Sequence, residues 1–193
     1  MPITPALWKH KTRPIQFALV VDDFGVKYTN REDADHLMTT LETQYVVSKD
    51  WEAKRYCGLS LNWDYEAWTC DVSMPGYIER VLQRFAHPLL PHCQDALFAW
   101  QKPIYGAKVQ FALEPDTSPA LDAADTTHVQ EVLGCLLYYA RAVDATMLPA
   151  LGSIATQQAA AMEDTMKRIT QLLNYCATNP GAIVCFVASG MCL

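Results

Sequence analysis

The chain has 193 residues and a formal charge of −6; 51% of it is apolar and 19% charged, and it holds five tryptophans and nine tyrosines. That is too apolar and too sparsely charged for a disordered tail, and long enough to bury the core of one domain or two small ones. The negative balance also speaks against a protein whose whole surface grips nucleic acid, because phosphate binding is dominated by Lys and Arg.

The charge is uneven. Basic residues are frequent up to Lys108, whereas residues 114–131 hold Glu114, Asp116, Asp122, Asp125 and Glu131 with no Lys or Arg, so a polyanion would meet the first half. Seven cysteines, Cys57, Cys70, Cys93, Cys135, Cys176, Cys185 and Cys192, form no C-x-x-C pair and predict a reduced, intracellular (cytoplasmic or nuclear) chain. The opening Met-Pro-Ile-Thr-Pro-Ala lacks the regions of a signal peptide. No apolar run approaches the roughly 20 residues of a membrane span, so no membrane partner is expected.

In chain order, residues 1–14 are polar, basic and proline-bearing, an irregular lead-in. Residues 16–21 are β-branched and aromatic, Asp22-Asp23 interrupts them, and residues 24–28 resume an extended pattern: a hairpin with two acids in its turn. Behind Asn30 as cap, Ala34, Leu37, Met38 and Leu41 recur at helical spacing over residues 31–44. Residues 45–48 and 55–62 read as strands. Residues 76–85 predict a helix with Tyr77, Ile78, Val81, Leu82 and Phe85 on one face and Glu79, Arg80, Gln83 and Arg84 opposite. Pro88, Pro91, Pro103, Pro115 and Pro119 mark residues 86–122 as a connector. Residues 128–143 and 156–177 predict helices, Pro180 and Gly181 stop the second, and residues 182–187 form a last apolar strand.

The chemistry concentrates at Asp22 and Asp23. Adjacent carboxylates raise each other's pKa unless a positive charge compensates, and a divalent cation is the obvious partner. Successive strand residues point to opposite faces, so one acid of such a pair is a direct ligand while the other supports it or meets a second ion. A solvated Asp-Asp turn is the ordinary alternative, and only context separates the two.

That context is a resemblance. Phe17-Ala-Leu-Val-Val-Asp-Asp-Phe-Gly-Val-Lys-Tyr28 resembles the catalytic aromatic-x-Asp-Asp hairpin of reverse transcriptases, with Val20 where an aromatic is usual. Four further segments follow in the order found in copia-type retrotransposon enzymes. Residues 48–60, containing Lys49-Asp-Trp51 and Tyr56-Cys-Gly-Leu59, resemble the stretch ending in the primer grip. Cys70-Asp-Val-Ser-Met-Pro-Gly-Tyr-Ile-Glu-Arg-Val-Leu-Gln-Arg-Phe85 resembles the helix that follows it. Gly134-Cys-Leu-Leu-Tyr-Tyr-Ala-Arg-Ala-Val-Asp144 and Thr165-Met-Lys-Arg-Ile-Thr-Gln-Leu-Leu-Asn-Tyr175 resemble two segments of the later helical region.

The resemblance implies an α+β fold: a partial polymerase palm of antiparallel strands with packed helices over residues 1–62, a thumb-like helix and Pro-rich connector over 63–122, and a helical connection region over 123–193 that leads towards a ribonuclease H domain. It implies Asp22 and Asp23 as catalytic, metal-binding acids using Mg2+ or Mn2+ in a complete polymerase. Tyr56, Gly58, Leu59, Arg80 and Arg84 become nucleic-acid contacts. Template-primer, deoxynucleotide triphosphates and the remainder of a Pol polyprotein become the partners. Nucleotidyl transfer of this kind uses two metal ions and three aspartates. The first aspartate and the fingers cannot fit in the 16 residues before Phe17, so the chain by itself is expected to be inactive. A decayed or repurposed retroelement piece without catalysis is the non-enzymatic alternative, and it predicts exposed apolar surface.

A receiver domain also has a strand ending in Val-Val-Asp-Asp, and Asp71-Val-Ser-Met-Pro-Gly76 would supply its phosphoacceptor. A receiver, however, needs a helix directly after the acid pair, where residues 24–28 are strand-like, and an apolar strand before the phosphoacceptor, where this chain has Asp64-Tyr-Glu-Ala-Trp-Thr-Cys70. His87, His92 and Cys93 cross two prolines with no second cysteine pair and read as loop, not zinc ligands. Cys135, Cys176 and Cys185 read as core positions.

Overall fold

The computed structural model describes residues 6–88, 93–99 and 116–189. It is α+β, with antiparallel strands and packed helices, as the sequence predicts. Two compact units divide it: the described residues up to Cys70 together with those from Val187, and the described residues between Asp71 and Phe186.

In the first unit β1 (Leu7–Lys9), β2 (Ile15–Val20) and β3 (Asp23–Tyr28) form an antiparallel sheet in that order, Ile15 facing Tyr28 and Val20 facing Asp23 across the hairpin. β1 corrects the expected irregular lead-in. Its three residues carry little local signal, and the strand exists through pairing with β2, with Trp8 stacked on Phe17 at 5.2 Å. The hairpin itself is as expected, except that Asp22 alone occupies the turn with Val21, while Asp23 opens β3.

Helix α1 (Arg31–Glu42) buries Ala34 and Met38. Asn30 precedes it, but its side chain makes no cap hydrogen bond, contrary to expectation. Asp33, 8% exposed in the first turn, is held by the Arg13 guanidinium at 2.7 Å. A buried carboxylate without such a partner would be strongly destabilising.

Residues 45–48, expected as a strand, have none: Tyr45 and Val46 are exposed and no strand among the described residues pairs with them. The strand expected over 55–62 is instead a hairpin, β4 (Arg55–Tyr56) and β5 (Leu59–Asp64), reversed at Cys57 (φ 51) and Gly58 (φ 76). Both turn residues take positive φ, the two-residue geometry that matches strand twist and that Gly accepts most readily.

β6 (Thr69–Ser73), absent from the sequence reading, leads into the second unit. Gly76, at φ 70, turns the chain into α2 (Tyr77–Arg84), which buries Ile78, Val81 and Leu82 as its amphipathic pattern predicts. In the connector, residues 93–99 form no helix or strand; Pro91, Pro103 and Pro115 lie outside the described residues.

Helix α3 (Ala123–Ala142) starts where the Asp122 carboxylate accepts from the Asp125 amide at 2.8 Å. The helix expected over 156–177 is corrected: α4 (Leu148–Ala155), with Pro149 in its first turn, and α5 (Glu163–Thr178) are separate. Between them Ala161 is extended and its carbonyl accepts from the Leu121 amide, while the Glu163 amide donates to the Pro119 carbonyl. The high helix propensity of the alanines there yields to this tertiary pairing. Thr165, 1% exposed, accepts from the Met162 amide and opens α5.

Val129, Leu136, Tyr139, Leu151, Ile154, Ile169, Leu172 and Cys176 form the core of this unit, each at most 2% exposed. Each large aliphatic side chain so buried contributes about 1.5–3 kcal/mol. Strand β7 (Ile183–Val187), close to its expected place, lies beside β6. Cys176 is buried as expected, Cys135 is half-buried, and Cys185 is exposed, correcting its assignment to the core. Among the described residues no helix is long and apolar enough to cross a membrane.

Candidate metal and nucleic-acid site

Val21 and Asp22 reverse the chain between β2 and β3, and Val21 does so at φ 57 with its side chain 92% exposed. Positive φ on a β-branched residue is a true outlier, since the left-handed region crowds Cβ against the backbone, at a cost on the order of 1–3 kcal/mol. The strain therefore sits beside the acid pair, where nothing in the packing of so exposed a side chain repays it.

Asp23 follows on β3 and is exposed, and its Oδ2 accepts a hydrogen bond from the Cys57 backbone N–H at 3.1 Å. Thus the tip of the β4–β5 hairpin meets the tip of the acid hairpin. Two residues along β3, Gly25 leaves room for the Tyr56 ring: a Cβ at position 25 would stand 3.1 Å from two of its carbons. The Tyr56 hydroxyl is buried beside the Cys57 thiol and makes no conventional hydrogen bond.

Electrostatics tie the two tips together. The Cys57 thiol is pushed up from its ordinary value, first by burial and then by the negative charges of Asp23 and Asp22, against a lowering contribution from Tyr56. Tyr56 is pushed up by burial, by Cys57 and by Asp23. Both groups stay neutral near pH 7, so nothing at the second tip adds negative charge to the acid pair.

Two adjacent carboxylates, one oxygen already engaged, are the hard oxygen donors that Mg2+ or Mn2+ prefers, but two acids are an incomplete ligand set. Among the described residues no group of three or more His, Cys, Asp or Glu side chains is placed to hold a metal ion. The pair fits a divalent cation only as part of a larger site.

Of the residues singled out from the sequence, Asp22, Asp23, Tyr56, Gly58 and Leu59 come together in the first unit, the last three in or next to the β4–β5 turn. Arg80 and Arg84 lie on α2 in the second unit. Arg84 pairs with Glu131 at 3.3 Å and lies 5.3 Å from the Phe85 ring, and the Arg80 guanidinium stands beside Gly76. His87 bonds Asn174 at 2.6 Å, Cys93 is exposed, and His92 lies outside the described residues.

Sequence reasoning missed Val21, Gly25 and the Cys57 amide. Only the Cys57-Gly58 pair, an X-Gly step between extended residues, carried a local signal of the turn. Comparison with family models, with curated proteins and with solved structures gives no match for this chain.

Proposed function

We propose that this chain is part of a copia-type retrotransposon reverse transcriptase, an RNA-directed DNA polymerase in which Asp22 and Asp23 are two of the acids that hold Mg2+ or Mn2+. In this reading residues 1–62 belong to the rear of the palm, 63–122 to a thumb-like helix and connector, and 123–193 to the helical connection. The metal ions would neutralise the nucleotide's triphosphate and activate the primer hydroxyl. The chain's own part is to fix two of the carboxylates and to present the Tyr56–Leu59 hairpin next to them.

The observation that carries the reading is the meeting of the two tips, in which Asp23 accepts from the Cys57 amide and Tyr56 packs on Gly25. The segment that resembles a primer-positioning element lies against the segment that resembles the catalytic hairpin. The strained Val21 adds to it, because strain of this kind collects at functional sites. The extended course of Asp23–Tyr28 favours this reading over a receiver with Asp22, Asp23 and Asp71, in which a helix would follow the acids.

In this reading Asp22 and Asp23 are part of an acid set, and polymerisation requires the rest of it. Primer extension on an RNA template, with Mg2+ and separately with Mn2+, tests this. The isolated chain gives no extension above background, and the same chain joined to the front half of a copia-type enzyme extends the primer, with Asp22→Asn or Asp23→Asn returning the signal to background. Extension by the isolated chain that disappears in Asp22→Asn overturns its inactivity. A joined chain that never extends supports the non-catalytic remnant, a reading favoured by the exposure of Trp8, Val20, Tyr65, Trp68 and Phe186.

A further inference from the structure

The β1–β3 sheet has two chemically different faces. Ile15, paired with Tyr28, lies on one of them and is 2% exposed. On the other lie Asp23, Gly25 and Lys27 along β3, because alternate residues share a face. Register extends that second face across the sheet: Lys27 stands opposite Gln16, and Gln16 opposite Lys9. Lys9, Gln16 and Lys27 therefore form one row across three strands, with the two lysines about 10 Å apart at ordinary strand spacing.

Both lysines are exposed, and among the described residues neither joins an ion pair, whereas Lys49 and Lys54 are each held by a glutamate, Glu42 and Glu52. The row between them and the acid, Leu7, Ala18 and Gly25, carries no charge. The sheet thus offers two uncompensated cations with an amide between them, on the face where the Asp23 carboxylate and the Tyr56 ring also stand.

We infer that the Lys9–Gln16–Lys27 row is a contact for the phosphodiester backbone of a nucleic-acid strand that ends at the acid pair. From Asp23 to Lys27 is four residues, about 13 Å of extended chain. A nucleic-acid strand carries a charge about every 3.4 Å along its axis, so the row meets phosphates roughly four nucleotides from the acids. The lysines supply charge and the Gln16 amide supplies a directional donor, contacts that position a strand without reading its sequence. The proposal rests on the polymerase reading above and names the surface that would carry its nucleic acid.

The test is fluorescence anisotropy with a short fluorescein-labelled RNA–DNA hybrid between about 50 and 200 mM salt. It compares the wild-type chain with Lys9→Gln, Lys27→Gln, the double variant, and Lys49→Gln as an ion-paired control. Both row lysines are exposed, so their replacement leaves the fold intact, and circular dichroism checks this. The double variant is expected to bind about tenfold more weakly, with a salt slope shallower by about 1–2, while Lys49→Gln matches wild type.

Wild-type affinity and slope in the double variant overturn the proposal. So does binding of polyglutamate as tightly as the hybrid, which would make the row a general anion contact. If the wild-type chain ignores the hybrid yet the joined chain extends a primer in a manner that needs Asp22 and Asp23, the row fails and the polymerase reading stands. If the hybrid binds through the row but the chain joined to the front half of a copia-type enzyme never extends a primer, the reading fails and the row stands.

Discussion

Gly25 has no side chain where Tyr56 needs the space, and this contact is the most exposed to a single-residue test. Gly25→Ala puts a Cβ 3.1 Å from the Tyr56 ring, so either the hairpins part or the ring moves. A loss of about 1–3 kcal/mol is expected, read from the urea midpoint. Tyr56→Phe is expected to be near neutral, because the buried hydroxyl it removes meets the Cys57 thiol, whose sulfur is only a weak hydrogen-bond partner. A large loss in Tyr56→Phe together with a silent Gly25→Ala would mean that the hydroxyl, and not the ring, joins the two tips. At this scale the sequence was partly legible. Asp22-Asp23 announces itself by charge in an apolar run, but the φ of Val21 and the Cys57 amide bonded to Asp23 depend on a contact 34 residues apart, which no local pattern encodes.

Helices α2, α3 and α5 were legible because their apolar residues recur at helical spacing, strands β2 and β7 because they are apolar runs with β-branched residues, and β3 because it resumes an extended pattern behind the acids. What local pattern missed was set by partners. Residues 45–48 have strand-like side chains and no strand to pair with, while β1 has little signal and a partner ready in β2. α5 also carries a pH test. Burial, and then the charge of Asp144, push its Cys176 thiol from an ordinary 9.0 up to about 12. The native state therefore keeps a proton that the unfolded chain loses. Stability from this source is full below pH 9 and is lost as pH rises from about 9 towards 12, by up to about 4 kcal/mol. Urea midpoints of the wild type should fall over that range, and those of Cys176→Ala should fall less steeply. Equal declines in both would place the titrating group elsewhere.

For the whole molecule, the α+β class implied by the resemblance agrees with the mixed strand and helix patterns, while the division into two compact units at Cys70 and Asp71 did not show in the sequence. No composition shift marks it, since β6 carries the chain continuously through the boundary. The overall charge of −6 conceals local arrangements of opposite sign: an acid pair at one end of the first sheet and, on the face of Asp23, Lys27 four residues along β3 with Lys9 in the same row, neither in an ion pair among the described residues. In the proposed function the acid pair and the Tyr56–Leu59 hairpin make one cation-holding locus. Mn2+ titration of the chain joined to the front half of a copia-type enzyme, followed by amide NMR, addresses it directly, because the ion broadens resonances only near where it binds. The account predicts selective broadening of Asp22, Asp23, Gly25, Cys57 and Gly58 that is lost in Asp22→Asn/Asp23→Asn. Broadening that leaves these five amides untouched, or that persists in the double variant, would contradict it.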